Sequence, residues 1–155
     1  MILIIGGAFQ GKKGFAKQLL LSERKPGKGE EPKEIPWCDG ETASWEEFSK
    51  ASWCFHVAAM VRRQMDESAV GKEDGLLRDG FTREDFVKEL LENSKEKILV
   101  AEEIGSGIVP IDAFQRKWRE ETGRIYCLLA ENASQVWRVT GGIGQIGRAS
   151  CRKRV

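Results

Sequence analysis

The first 20 residues constrain this chain more than any later stretch. Ile2 to Ile5 is an unbroken apolar run that runs straight into glycine. A half-exposed strand would alternate, so the run fits a strand buried on both faces of a parallel sheet. From Lys12 to Leu21 the pattern turns helical, with Phe15, Ala16, Leu19 and Leu20 on one face. Between them lies Gly6-Gly7-Ala8-Phe9-Gln10-Gly11-Lys12-Lys13, which matches G-x-x-x-x-G-K. Glycines let successive backbone N–H groups turn inward, and the helix N-terminus adds positive dipole character, so strand, loop and helix make a preformed anion site. Gly6 to Lys13 are therefore the expected nucleotide-binding residues, with Lys12 reaching the β- and γ-phosphates. Lys13 stands where the pattern carries Ser or Thr, whose hydroxyl would ligate Mg²⁺.

The rest of the chain limits what can be attached to this opening. At 155 residues it is about one domain. Its 41% hydrophobic and 32% charged content is ordinary for a soluble globular protein, and no apolar run reaches the ~18 residues of a membrane span. The formal charge of +1 argues against a nucleic-acid or anionic-membrane partner, both of which call for a basic excess. Four cysteines without a CxxC pair and a single histidine argue against a zinc site. The opening residues lack the basic region and cleavage site of a signal peptide, so the expected location is the cytoplasm, with reduced thiols.

Further along, Glu23 to Lys33 reads as a polar loop and Glu34 to Asp39 as a short strand. Ser44 with Glu47 forms a capping box for a helix whose pattern runs to about Met65, broken near Ser52. Asp66 to Gly80 reads as loop. Thr82 caps another helix, with Asp85 at its third position and Phe81 and Phe86 as a hydrophobic staple. Lys97 to Ile104 is a second strong strand ending in carboxylates that suit a Mg²⁺ ligand and catalytic group. Asp112 to Thr122 reads as a helix closed by Gly123, Ile125 to Leu129 as a third strand, and Ala133 to Val139 as a helix-to-strand passage. Strands alternating with helices indicate an α/β fold with a mostly parallel sheet. Residues 147–155, GRASCRKRV, are basic and aperiodic. They are set apart from a single domain at 1–146 as a foreign or frame-shifted end rather than a native extension. Without their four basic residues the charge is −3.

One more stretch carries a resemblance. Glu102-Glu103-Ile104-Gly105-Ser106-Gly107-Ile108-Val109-Pro110 is followed by Arg116-Lys117-Trp118-Arg119-Glu120-Glu121-Thr122-Gly123, then Ala130, Ala133 and Gly142-Ile143-Gly144. Together with the first 20 residues, this resembles the adenosylcobinamide kinase/adenosylcobinamide-phosphate guanylyltransferase family of cobalamin biosynthesis. That family carries N-E-x-G-x-G-x-V-P, then R-x-F-R-D-x-x-G. The chain departs from the pattern at Lys13 and at Tyr126-Cys127, and its middle third does not align.

The resemblance implies a P-loop NTPase (RecA-like) fold and transfer of a phosphoryl and/or guanylyl group from GTP or ATP, with Mg²⁺, to an adenosylcobinamide-like acceptor. It also implies a homo-oligomer with its active site between subunits, and it points to Glu103 rather than Glu102 as the Mg²⁺ ligand and catalytic carboxylate. The family's guanylyl transfer passes through a histidine. His56 is the only histidine here, so it is the only candidate for that role. Arg62 and Arg116 are candidate phosphate ligands, alongside Arg63 and Arg119. Trp45, Trp53 and Trp118 are candidates for stacking on a base or corrin, with core packing the preferred reading. The alternative is a degenerate P-loop nucleotide-binding protein without transferase activity; a third is a small-molecule kinase with another acceptor.

Overall fold

The computed structural model describes residues 1–23, 34–67, 70–72, 74–92 and 96–149. In chain order the elements are β1 Ile2–Gly6, α1 Lys12–Glu23, β2 Cys38–Asp39, α2 Trp45–Lys50, β3 Trp53–Phe55 and α3 Val57–Gln64. Then come β4 Leu76–Arg78, β5 Phe81–Thr82, α4 Arg83–Glu92, β6 Ile98–Glu102, α5 Ala113–Asn132, β7 Gln135–Thr140 and β8 Ile143–Ala149. Six strands form one sheet in the order β2-β3-β6-β1-β7-β8. The first five run parallel, and β8 returns antiparallel along β7. This is the expected α/β fold, a mostly parallel sheet flanked by helices.

The apolar opening sits at the centre of the sheet because both of its faces can be covered. β1 pairs with β6 on one side and β7 on the other. Leu3 faces the larger core, with Phe48, Met60, Phe86, Leu99, Ile125 and Leu129, all fully buried. Ile4 faces the smaller one, under Ala16 and Phe15 of α1. Alternation along β6 divides Leu99 and Ala101 from Ile98 and Val100 in the same way.

The caps at Ser44 and Thr82 form as expected. Ser44 Oγ accepts from Glu47 N at 3.2 Å, and Ser44 N donates to Glu47 Oε2 at 2.8 Å. Thr82 N donates to Asp85 Oδ2 at 2.9 Å, and Asp85 N to Thr82 Oγ1 at 3.2 Å. Phe81 and Phe86 are both buried against Trp45.

Several sequence expectations are corrected. The helix read from Ser44 to Met65 is two helices with β3 between them. Three strand residues are too few to break a helical pattern visibly, and only their parallel pairing with β2 and β6 defines them. The strand expected over Glu34 to Asp39 is Cys38–Asp39 alone. The loop expected over Asp66 to Gly80 contains β4, which pairs antiparallel with β5. The segment expected to be loop from Glu23 onward lies, from residue 24 to 33, outside the described residues. The tail set apart at Gly147 begins inside β8, whose Gln135↔Ala149 and Val136↔Arg148 pairs cross that boundary; 150–155 lie outside the described residues.

The largest correction concerns Gly123 and Ile125 to Leu129. They are neither a cap nor a strand but the middle of the 20-residue α5. Ile125 and Leu129 are i and i+4 on one helical face, both fully buried, and a five-residue window does not separate that pattern from a strand. A Cβ on Gly123 would meet no atom within 4 Å. Gly123→Ala is therefore expected to stabilise the protein by about 0.5–1 kcal/mol, the ordinary cost of glycine inside a helix. A helix-terminating glycine with positive φ would give the opposite sign. A thermal melt of the variant checks which holds.

Candidate functional site

Because β2, β3, β6 and β1 are parallel neighbours, their carboxyl ends open on the same edge of the sheet, where α/β proteins hold ligands. That edge gathers Asp39 from β2, His56 from the residue after β3, Glu102 from β6 and the loop after β1.

Lys12 is the first residue of α1 and is 8% exposed. Its Nζ donates to the Gly7 carbonyl at 2.6 Å. Burial pulls its pKa below the ordinary lysine value, and the Glu102 carboxylate opposes that shift. The loop is close-packed at its base, where a Cβ on Gly6 would lie 2.4 Å from the Val139 carbonyl oxygen. Its tip is tied to the β7–β8 turn: Gly142 N donates to the Gln10 carbonyl at 2.8 Å and Gly141 N to Gln10 Oε1 at 2.6 Å. Phe9 has φ +56° and a fully exposed ring. Ala8 and Gly11 are exposed beside it. Lys13 leans away from the glycines, its Nζ 3.0 Å above the Phe55 ring and 5.9 Å from that of Trp37.

The two carboxylates at the end of β6 have different surroundings. Glu103 Oε1 accepts from Arg138 at 3.1 Å and is exposed. Glu102 stands in register with Gly6, and its Oε2 is buried without a hydrogen-bond partner. Its Oε1 lies 3.9 Å from His56 Nε2. The geometry thus favours Glu102 over the expected Glu103 as the carboxylate beside Lys12. An orphaned carboxylate oxygen at the mouth of an anion loop suits a hard divalent cation such as Mg²⁺.

His56 is not on a helix surface. It occupies the junction between β3 and α3 in the left-handed conformation, φ +54° and ψ +48°. Its Nδ1 lies 2.8 Å from Asp39 Oδ1, and Glu41 Oε1 is 3.8 Å from the same nitrogen. Asp39, Glu41 and His56 bring possible ligand atoms within 4.8 Å of one another. Burial raises the Asp39 pKa, but hydrogen bonds from Glu41 N–H and His56 outweigh it and hold the carboxyl below the usual range.

The arginines divide by role. Arg116 donates to the Pro110 carbonyl at 2.9 Å and also to that of Ile111, and Arg119 to that of Ile108 at 3.0 Å. Both hold the segment between β6 and α5, whose Ile108, Val109 and Ile111 are exposed. Arg63 fastens the turn after β2 through the carbonyls of Gly40 and Ala43. The exposed Arg62 lies 5.3 Å from the Trp118 ring and makes no carboxylate contact among the described residues. The three candidate tryptophans are structural: Trp118 Nε1 donates to the Ala58 carbonyl, Trp45 packs edge-on against Phe81 and tilted against Phe86, and Trp53 packs on the smaller core.

Sequence reading missed Asp39 as a site residue and preferred Glu103 to Glu102. The signal for Asp39 was present in Cys38-Asp39-Gly40, a carboxylate closing a short strand before a glycine.

A sequence profile described as cobinamide kinase / cobinamide phosphate guanyltransferase matches residues 57–146, more than half of the chain. The chain belongs to that family. The match takes in α3, β6 with its carboxylates, the 104–112 segment and α5; the phosphate loop and His56 precede it. Two curated relatives, the bifunctional adenosylcobalamin biosynthesis proteins CobU of Escherichia coli K12 and Salmonella typhimurium LT2, are each 45% identical over 47 residues. That stretch is 30% of this chain and 26% of each relative, so the chain covers about a quarter of the length of the curated relatives it matches. Among the described residues, no helix is long and apolar enough to cross a membrane.

Proposed function

We propose that the chain is a cobalamin-biosynthesis transferase. It would bind GTP or ATP at Gly6 to Lys13 and pass a phosphoryl and/or guanylyl group to an adenosylcobinamide-like acceptor. The observation that carries this is the placement of Lys12, at the start of α1, in the field of Glu102 on the strand paired with β1. A cation for the phosphates and an orphaned carboxylate for Mg²⁺ stand together where phosphoryl transfer calls for both. Mg²⁺ would be held by Glu102, since Arg138 already occupies the Glu103 carboxylate. His56 would serve as the nucleophile of a guanylyl transfer. Arg62, which makes no carboxylate contact among the described residues, would reach a phosphate, while Arg116 would act by holding the 104–112 segment.

We read residues 1–149 as one nucleotide-binding domain, since β8 crosses the boundary expected after residue 146, working in the cytoplasm as a homo-oligomer. The exposed Phe9, Ile108, Val109 and Ile111 fit coverage by a second copy. One observation favours a second reading, a nucleotide-binding protein without transferase activity. Lys13 stands in place of the metal-liganding hydroxyl and is seated on Phe55.

Calorimetric titration with GTP and ATP, with and without Mg²⁺, separates the two, combined with a turnover assay on adenosylcobinamide. Mg²⁺-dependent binding with turnover is the expected result. Tight binding indifferent to Mg²⁺ and no turnover would establish the second reading instead.

A further inference from the structure

His56 Nδ1 faces Asp39 Oδ1 at 2.8 Å, and that same oxygen accepts from Glu41 N at 2.9 Å. The carboxylate is therefore fixed by backbone before it meets the ring. The backbone that carries the ring is held too, since His56 sits in a left-handed junction whose carbonyl accepts from Met60 N at 3.1 Å, and the ring itself lies 4.4 Å from that of Phe55. Asp39 Oδ1 already accepts from the Glu41 N–H and carries no proton for the ring, so in a neutral imidazole the proton sits on Nδ1. Nε2 is then a bare lone pair. Among the described residues it makes no hydrogen bond, and it lies on the Glu102 side of the ring.

We infer that Asp39 is the positioning residue of the site: it locks His56 in the Nδ1–H tautomer and leaves Nε2 on the side of Glu102, the carboxylate in register with Gly6. This rests on the guanylyl-transfer reading above. In that step the Nε2 lone pair forms a bond to the α-phosphorus of GTP as the bond to the bridging oxygen breaks. Pyrophosphate leaves with that electron pair. No proton need depart, because the ring keeps its Nδ1–H and becomes cationic against the Asp39 carboxylate. The acceptor's phosphate oxygen then displaces the imidazole and restores the neutral ring.

With a single histidine in the chain, ¹⁵N-histidine labelling yields one imidazole spectrum. The native protein is expected to show a protonated Nδ1 and a bare Nε2. In Asp39→Asn the amide oxygen can take the Oδ1 position and accept from both Glu41 N and Nδ1–H, so the proton should stay on Nδ1. Asp39→Ala should give the mixture seen in free imidazole, and thermal melts confirm that both variants fold. Label from α-labelled GTP should survive denaturation in the native protein and be absent in His56→Ala. In folded Asp39→Ala it should form about 100-fold more slowly.

A native Nε2–H tautomer, or one unchanged in Asp39→Ala, overturns the inference whatever the label does. Unslowed labelling in a tautomer-shifted variant overturns it as well. A native protein that takes no label overturns the covalent reading, and the spectrum still decides the role of Asp39.

Discussion

Lys12→Ala is expected to weaken GTP or ATP binding roughly 10- to 100-fold, the range for hydrogen bonds to a charged group. The loop would retain its inward N–H groups and the α1 N-terminus, so some binding should persist. Lys12 is the ionisable side chain buried within the loop, and now donates to Gly7, a contact it would exchange for phosphate oxygen. Folding should survive, because the substitution also removes the desolvation of a buried ammonium. Calorimetric titration reads the affinity and a thermal melt reads the fold. Unchanged affinity in a folded variant would remove the loop as the nucleotide site.

Gly40→Ala is expected to cost about 3 kcal/mol, the upper part of the usual range for overpacking, and to lower Tm by about 6–12 °C at this chain length. A Cβ there would lie 2.1 Å from the His56 carbonyl oxygen, 2.9 Å from its carbon and 3.1 Å from the Phe55 oxygen. All three are backbone atoms, so no side-chain rotation relieves the contact. Gly40 N also donates to Phe55 O at 2.9 Å, so separating the strands would break that bond. The Asp39–His56 contact should be lost with the approach that makes it, as the histidine spectrum would show. Gly14→Ala is the control, since a Cβ there would meet nothing within 4 Å. It should be neutral or slightly stabilising, and equal losses in both variants would remove the close-approach explanation.

Much of the fold was legible because its signals are local. The apolar run of β1 enters glycine and then a helical pattern, and each step uses neighbouring residues. The capping boxes at Ser44 and Thr82 are likewise contacts over three positions. What escaped was short or ambiguous in period. β3 has three residues, so the chain read as helix with a break. Ile125 and Leu129 are four apart, and the intervening apolar residues resembled a strand as readily as a turn of helix.

Of the candidate site, Lys12 and its loop were visible from spacing, and His56 only through the family resemblance, which implies a histidine and leaves this one as the candidate. The family motif pointed to Glu103, whereas the geometry favours Glu102, because adjacent strand residues point to opposite faces and the distinction lies in what covers each face. Here Arg138 from β7 takes one, and the loop after β1 lies over the other.

By itself, then, the sequence determined a buried parallel strand, a phosphate-type loop and the family's acidic-strand segment, all set by near neighbours along the chain. The tertiary structure decided which groups meet. Asp39, His56 and Glu102 are 17 and 46 residues apart in succession, and they converge only because β2, β3 and β6 lie side by side and end on the same edge. Strand order follows from how the crossovers pack their apolar faces, a property of the whole core that no local window contains.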